Sequence, residues 1–326
     1  MKKVLIIASG GGHTGHSVAL AQHLVDLGVE VEFIIPENDL WTRSSVSPYG
    51  EIVAETPKFL DPKDPLYLSL FRAPPAILKS IKRIRRRYKI VVASGSNHSI
   101  SSAISAWLRG SDIVSFEATE RFLEPSRTIK ILGGISKIIA FQWEEQKKFN
   151  PKGLVVGPFL GKARYNIRDE GYILVTAGSY GYKKLFDEIS KTDLKDVVLQ
   201  TGKVNPNQYK NKHKEWKVFN FDSNIEEFIA HASVVITHFG RTAVESAIKY
   251  RKPTILSPNI EWKWMKNNIR LKESEMMAKK INAYYLRPDE VNYENILSAI
   301  EKVKKLSPPF YEDGAKKLAD IIYSML

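Results

Sequence analysis

KKVLIIASGGGHTG, Lys2 to Gly15, is the stretch from which the rest of the chain can be read. Val4 to Ala8 is a short apolar run with β-branched residues, closed at once by Ser9 and three glycines. That is the pattern of a buried strand ending in a backbone-exposing turn. From about Thr14 the spacing becomes helical, with Val18, Leu20, Ala21, Leu24, Val25 and Leu27 favouring one side, until Gly28 supplies a stop. Val29 to Ile35 is the next strand. A glycine loop thus joins a strand to a helix N-terminus, where amides without intrahelical partners favour an anion.

Two readings of this loop stay open on the residues alone. Gly10, Gly12 and Gly15 fit the dinucleotide fingerprint G-x-G-x-x-G, and Glu37 falls where a ribose-binding acid would sit. On that reading the chain is an NAD(P)-dependent dehydrogenase. The fingerprint does not explain His13, which stands in the loop itself. An imidazole there can act as a general base or bind phosphate, since its unperturbed pKa of about 6.5 allows proton exchange near neutrality. The plainer alternative is that His13 caps the helix or bonds to backbone.

The chain has 326 residues, comfortable for two domains of roughly 150 residues each. Hydrophobic residues at 43% with 26% charged are ordinary for a globular protein with real cores. The absence of cysteine excludes disulfides and thiolate metal sites. The opening MKK, followed by a handful of apolar residues, is too short for a signal peptide, and no segment reaches the ~18 uninterrupted apolar residues of a bilayer span. A net charge of +13 admits nucleic acid, an anionic lipid surface or phosphorylated substrates as partners, and equally a solvated lysine surface. Nucleic acid fits least, because the basic residues lack interleaved aromatics at a recognisable module spacing.

Pro36 to Pro75 holds seven prolines with little period and reads as a long irregular stretch. Ala76 to Tyr88 reads as a basic helix, with Ile77, Ile81, Ile84 and Tyr88 at helical spacing among lysines and arginines. With Leu68 and Phe71 before it, and Arg83 and Arg86 within it, this has what a membrane-surface element needs, although the apolar stripe also suits a helix packed on a sheet. Ile90 to Ala93 and Asp112 to Phe116 are strands flanking a helix that runs to Trp107. Glu117 stands at the carboxyl end of the second, in FEATER, with Arg121 four residues on. Carboxyl ends of strands are where doubly wound parallel sheets place their ligands. Ile138 to Phe141 follows, and Val155 to Phe159 looks like the close of the first domain.

The same grammar then restarts. Tyr172 to Thr176 is a strand running into a second glycine turn, Ala177-Gly178-Ser179-Tyr180-Gly181, that enters a helix. Val197 to Gln200, Lys217 to Phe221, Val234 to Thr237 and Thr254 to Leu256 are further strands, and Ala243 to Tyr250 is helical. In THFGRTAVE, Thr237 to Glu245, the amides of Gly240, Arg241 and Thr242 can hold a diphosphate. Glu245, about 5 Å further along the helix axis, can accept from two ribose hydroxyls. It can equally be a first-turn acid stabilised by the helix dipole. Two similar halves of near-equal length suggest a cleft between them.

SGGGHTG (Ser9 to Gly15) resembles the SGGHT loop of the acceptor-binding subunit of the eukaryotic dolichol-linked GlcNAc transferase, FEATER resembles its E-S-x-x-R segment, and FQWEEQ (Phe141 to Gln146) its V-Q-W-P-E-L stretch. TAGSYGY is similar to the V-T-x-G-T/S-x-x-F loop of the donor-binding partner, and THFGRTAVESAIKYRKPTILSPN to its S-H-A-G-x-G-[ST]-x-x-E…KP-x-x-V-x-N block, which also marks the bacterial MurG transferases. The chain therefore resembles both subunits fused, acceptor half first, as in archaeal homologues of the pair. Phe239 and Arg241 replace small residues of the turn, and Trp262, Trp264, Lys266 and Asn267 stand where a D-x-H-Q motif usually follows.

This resemblance implies an α/β, GT-B architecture of two Rossmann-like doubly wound domains facing a central cleft. It places the acceptor and membrane-binding domain at 1–160, the UDP-sugar domain at 161–307, and a C-terminal helix, 308–326, that crosses back. It implies inverting transfer, and since no D-x-D pair is placed to carry a divalent metal, no metal or other cofactor is expected. UDP-GlcNAc would be the donor and a polyprenyl (dolichol-type) diphosphate-GlcNAc the acceptor, joined β-1,4 in lipid-linked oligosaccharide assembly for N-glycosylation. His13 would take the acceptor proton, with Glu117 as the alternative base or as the group orienting His13. Arg121, Lys137 or the loop at Gly10, Gly11, Gly12 and Thr14 would hold the acceptor diphosphate. Gly178, Ser179, His238, Gly240, Arg241 and Thr242 would face the donor diphosphate, with Glu245 on the ribose. No anchor precedes Lys2, so attachment is expected to be peripheral, at the cytoplasmic face of an anionic membrane. A non-catalytic membrane-docking subunit for a separate transferase is the remaining alternative.

Overall fold

The computed structural model describes residues 2–57, 67–84 and 86–326, with the side chains of 67–71 and 73 left aside. It divides into two units, Met1–Lys162 with Glu312–Leu326, and Ala163–Tyr311. In the first, β1 (Lys3–Ile7), β2 (Glu30–Pro36), β3 (Glu51–Thr56), β4 (Ile90–Ala93), β5 (Asp112–Phe116), β6 (Ser136–Phe141) and β7 (Leu154–Val155) form one sheet. Its order is β3-β2-β1-β4-β5-β6-β7, and every pairing is parallel.

The apolar run of β1 is continuous because helices cover both faces of a parallel sheet. Val4, Ile6 and Ala8 pack with Leu20 and Leu24 of α1 (Gly12–Asp26), and Leu5 and Ile7 pack on the other face with Ala76, Ile84, Ile100 and Ala103. The last helix, Gly314–Met325, lies on the α1 side through Ala315, Leu318, Ala319 and Ile322, and Asp313 meets His23 at 2.7 Å. Chain order runs outward from β1 to β3 and then returns to β4 on the other side. This puts the switch point, where such sheets open a ligand crevice, between β1 and β4.

Over its described residues, the stretch from Pro36 to Pro75 is not irregular. It holds α2 (Leu40–Val46), a short 3-10 turn (Ser47–Tyr49), β3 and the start of α3 (Tyr67–Arg83). Asp39 caps α2 by accepting from the Thr42 amide at 2.9 Å, and β3 pairs with β2 at the sheet edge, where half-buried, mixed residues give no clear strand period. The basic helix therefore begins well before Ala76 and ends at Arg83, before Tyr88. It carries Pro74 and Pro75 inside it. Among the described residues no helix is long and apolar enough to cross a membrane.

The second unit repeats the plan with β8 (Ile173–Thr176), β9 (Val197–Gln200), β10 (Lys217–Phe219), β11 (Val234–Thr237), β12 (Thr254–Leu256) and β13 (Tyr284–Tyr285). The order is β10-β9-β8-β11-β12-β13, again all parallel, with the switch point between β8 and β11. Leu174 and Val175 in β8, and Val234, Val235 and Ile236 in β11, are fully buried, as two-sided cover requires.

Candidate functional site

In the first unit the loop after β1 turns through Gly10 (φ 85°) and Gly11 (φ 54°), left-handed conformations that a side chain would strain. α1 starts at once at Gly12, so the exposed Gly11 and Gly12 stand at the first turn, whose amides lack intrahelical acceptors. Thr14 does not face this opening. It is fully buried, accepts from the Gly10 amide at 3.0 Å and lies 2.9 Å from the Thr42 hydroxyl, so Thr14 and the Gly10 amide fasten the loop rather than offer themselves to a ligand. His13 is half-buried in the first helical turn, its ring 6.4 Å from that of His16.

Beneath the loop lies a buried chain that sequence reading missed. Ser94 donates to Ser9 at 2.8 Å, Ser9 lies 3.2 Å from His98 Nδ1, and His98 Nε2 lies 3.1 Å from the Thr56 carbonyl and 2.8 Å from its hydroxyl. A carbonyl only accepts, so Nε2 bears the proton and Nδ1 accepts from Ser9. The ends of β1, β3 and β4 are tied together under the glycine turn. The residues, serine, threonine and a lone histidine from separate segments, carry no sequence spacing that would betray them.

Glu117, offered as a base, is fully buried at the end of β5. Its Oε2 accepts from the Ser126 amide and its Oε1 from the Ala118 amide, each at 2.7 Å. It staples the loop 118–126 and has no open side for a hydroxyl. Burial pushes its pKa up to about 7, against the Ser126 amide, Arg121 and the Ala118 amide, which favour the charge. FQWEEQ holds the same loop from below. Gln142 donates to the Glu117 carbonyl at 2.8 Å, Gln146 to those of Ala118 and Arg121 at 2.9 and 2.7 Å, and the Trp143 indole to that of Thr119 at 2.9 Å. Arg121 is half-buried on this loop.

Lys137 is not brought to this group. It is the second residue of β6, paired with Asp112 at 2.6 Å at the amino rim of the sheet. The glycine loop and Glu117 lie at the carboxyl rim. Parallel strands keep their two ends apart, and no side chain spans a five-residue strand. The expected membrane cations are also engaged: Arg83 donates to Glu37 at 2.6 Å and to the Glu55 carbonyl, and Arg86 meets the buried Glu32 at 2.7 Å. Leu68 and Phe71 have side chains outside the described residues. Glu37, the ribose acid of the dinucleotide reading, is held below the ordinary carboxylate range chiefly by Arg83, with Lys79 at 3.4 Å.

In the second unit the turn after β8 does not lead straight into a helix. Gly178 and Gly181 have positive φ, and the next helix, Lys183–Ile189, begins only at Lys183. Its first two amides, of Lys183 and Lys184, already donate to the Glu261 carboxylate at 2.9 Å each. Ser179 is exposed. Gly202, after β9, presses so closely on this turn that a Cβ would stand 2.6 Å from the Gly178 carbonyl oxygen and 2.7 Å from that of Ser179. His238, after β11, flanks it from the other side: a Cβ on Gly178 would stand 3.1 Å from His238 Cε1. The structure thus gathers Gly178, Ser179, His238 and Gly240 around the switch point. Burial pushes the His238 pKa down to about 4, which keeps the ring neutral at physiological pH.

Helix Arg241–Val244 widens into a π turn, Glu245–Lys249, closed by the Tyr250 amide on the Glu245 carbonyl at 2.9 Å. Such turns interrupt the regular ladder that the sequence led one to expect over Ala243 to Tyr250. Arg241 and Glu245 meet each other at 2.8 Å, and Lys249 is 3.9 Å from Glu245 and 2.5 Å from Glu226. Thr242, half-buried, is in the first turn. An aromatic stack joins both loops. Tyr180 stacks on Trp262 at 5.1 Å, Trp262 meets Trp264 at 5.0 Å, and Trp264 stacks on Phe239 at 6.1 Å. A cavity of about 620 Å³ in this unit, lined by Asp169, Lys195, Ser233 and Pro253 among others, contains none of the expected site residues.

Residues 172–322 match the glycosyltransferase family 28 C-terminal domain. Over 368 aligned positions the chain is 27% identical to the UDP-N-acetylglucosamine–N-acetylmuramyl-(pentapeptide) pyrophosphoryl-undecaprenol N-acetylglucosamine transferase of Myxococcus xanthus, covering 100% of this chain and 94% of that one. Among solved structures, MurG of Acinetobacter baumannii aligns with a TM-score of 0.67 at 15% identity, covering 99% of this chain and 100% of the other. The UDP-GlcNAc 2-epimerase of Neisseria meningitidis aligns with a TM-score of 0.61 at 11% identity and 99% of both chains. The fold alone is therefore shared by enzymes of different reactions. The two parallel-sheet, Rossmann-like domains have the GT-B fold, and in sequence the chain is homologous to MurG-type glycosyltransferases, with its second half similar to the family 28 C-terminal domain.

Proposed function

We propose that the protein is an inverting glycosyltransferase that moves GlcNAc from UDP-GlcNAc to a sugar carried on a polyprenyl diphosphate. The observation that carries this reading is similarity along the whole chain to a transferase named for that donor and for a lipid-diphosphate acceptor. The family 28 match over 172–322 supports giving the donor to the second unit. The acceptor then falls to the first unit, whose open first turn at Gly11 and Gly12 suits a diphosphate.

In this mechanism His13 takes the proton of the acceptor hydroxyl as the oxygen attacks the anomeric carbon, and UDP departs from the opposite side. Arg121 shares the acceptor diphosphate with the loop amides. The charge growing on the leaving diphosphate falls to the amides of Gly240 to Thr242, to Arg241 and to the neutral His238, with Gly178 and Ser179 alongside. Glu245 exchanges its bond to Arg241 for the ribose hydroxyls, which frees the guanidinium for phosphate. Glu117 acts only through the loop it staples.

The resemblance of SGGGHTG, FEATER and FQWEEQ to the eukaryotic acceptor subunit supports a dolichol-type diphosphate-GlcNAc as acceptor and a β-1,4 product for N-glycosylation. The bacterial relatives are named for an N-acetylmuramyl (pentapeptide) acceptor instead, and this is the second reading. We place the protein peripherally at the cytoplasmic face of an anionic membrane. There the exposed Leu78 of α3 and the exposed Arg87 that follows it would meet the headgroups.

The test is to incubate the purified protein with several UDP-sugars and either a short polyprenyl diphosphate-GlcNAc or the muramyl-pentapeptide lipid, and to weigh the products. One added N-acetylhexosamine on the first acceptor, from UDP-GlcNAc alone, is the expected result. Addition only to the muramyl lipid favours the second reading. No transfer to either, with thermal protection by NAD(P) rather than UDP, returns the chain to the dehydrogenase reading. No turnover, with vesicle binding intact, points to a docking subunit.

A further inference from the structure

Of the three histidines of α1, His13 and His16 stand one turn apart, and His16, the one nearer the core, has no part in the mechanism above. His16 is 1% exposed and stands edge-on to Phe116 and Phe159, with ring centroids at 6.1 and 6.0 Å. A phenyl ring would suit that cage at least as well, so an imidazole there must be matched by a polar contact. The contact is to the stapled loop: His16 Nε2 lies 2.7 Å from the Thr119 hydroxyl, and that hydroxyl donates to Gln142 Oε1 at 2.8 Å.

The direction of each bond follows from the groups present. Gln142 is oriented by the backbone, its Nε2 donating to the Glu117 carbonyl at 2.8 Å and its Oε1 accepting from the Phe159 amide at 2.9 Å. Oε1 only accepts, so Thr119 spends its one proton on it. Thr119 must then accept from His16, whose Nε2 bears a proton. Thr119 and Gln142 are each 1% exposed, so the chain of bonds is sealed from water, where it is strong when complete and costly when broken.

We propose that His16 is a positioning residue, resting on the transferase reading above: its bond to Thr119 sets the first turn of α1, with His13 and the Gly11–Gly12 amides, against the loop that carries Arg121. Thr119 lies two residues after Glu117 and two before Arg121, near the start of the stapled segment. The relay therefore aligns the expected base with the expected diphosphate cation. Misplacement by about 1 Å at such a joint is enough to slow a reaction by about two orders of magnitude.

The test compares His16→Phe, which keeps the aromatic packing but not the donor, with His16→Gln, whose amide can donate from a similar place, and Thr119→Val with Thr119→Ser. We expect kcat to fall about ten- to a hundred-fold in His16→Phe and Thr119→Val, with the KM for UDP-GlcNAc within about twofold of wild type. His16→Gln and Thr119→Ser should recover to within about threefold, and the double variant should lose no more than either single one. Equal losses in His16→Gln and His16→Phe, or an undiminished kcat in a folded His16→Phe, overturn the proposal. Proton NMR of the unliganded protein separates this failure from that of the reaction itself. A slowly exchanging imidazole N–H that is absent from His16→Phe and perturbed in Thr119→Val supports the bond, and its absence from wild type removes it. A wild type that transfers no sugar while showing that resonance overturns the role and the transferase reading together.

Discussion

After β1 the chain turns through Gly10 and Gly11 and the helix begins at Gly12, whereas after β8 it turns through Gly178 and Gly181 and the helix waits until Lys183. In the first case the opening turn of the helix is exposed. In the second the opening amides already hold the carboxylate of Glu261. The same strand, glycine, helix grammar thus leaves the helix end open in one unit and fills it in the other. In the mechanism proposed above, the corresponding work in the second unit belongs to the neighbouring turn, His238 to Thr242, across the switch point. What decides is whether the fold supplies its own anion to the helix end, and that anion comes from more than 70 residues away in the chain, Lys183 to Glu261 being 78 positions.

The ionisable groups buried at the two carboxyl rims also differ in sign. Burial raises Glu117 to about 7 and lowers His238 to about 4. Each is a neutral-leaning group placed where a charge would be costly, but one resists base and the other resists acid.

The sharpest way to break the comparison is His13→Ala. If the open turn of the first unit serves catalysis, transfer should fall by roughly 10²- to 10⁴-fold while UDP binding, followed by calorimetry, stays intact. Unchanged turnover would remove the base from the loop altogether.

Next in size is the acid limb. A histidine whose folded pKa is depressed from 6.5 to about 4 contributes stability that is present above pH 6.5 and lost as pH falls toward 4, by at most about 3 kcal/mol. Because Glu117 acts with the opposite sign over nearly the same window, the loss is read from urea unfolding as the difference between wild type and His238→Asn. Glu117, raised from 4.5 to about 7, has the opposite sign: its contribution is present below pH 4.5 and fades as pH rises through 7. A pH 4.5–7 dependence in Glu117→Gln identical to that of wild type would mean another group is responsible.

Glu245→Ala should raise the donor KM by roughly ten- to a hundred-fold, as expected for a lost charged hydrogen bond of about 1.5–3 kcal/mol, with the acceptor KM unmoved. Equal donor affinity would show that Glu245 serves only Arg241. The smallest effect belongs to Lys137→Ala. Its exposed pair with Asp112 at the far rim predicts a stability change within about 1 kcal/mol and turnover within twofold of wild type. A large loss of acceptor binding there would contradict the placement of the acceptor at the glycine loop.

Much of the strand framework was legible because buried parallel strands are written locally. Ile90 to Ala93, Asp112 to Phe116, Val197 to Gln200, Val234 to Thr237 and Thr254 to Leu256 are strands over those residues. β3 and α2 were not legible. An edge strand with half-buried residues has no apolar run, and α2 is too short for a period to emerge. Among the site residues, the glycine turns and the THFGRT segment could be seen because φ requirements and helix starts leave local marks. The roles of Thr14, Glu117 and Lys137 could not.

By itself, then, the sequence determined where strands end in glycine turns, and hence that the chain is built of two Rossmann-like halves. Those signals depend on backbone preference and on burial of consecutive apolar residues, both of which act over a few positions. Only the tertiary structure decided that Glu117 is a staple, that Glu261 fills a helix end, that Lys137 lies at the wrong rim and that His16 reaches Thr119. Each of these depends on which distant segment comes within hydrogen-bond distance, and the order of strands in the sheet, rather than the order of residues in the chain, controls that.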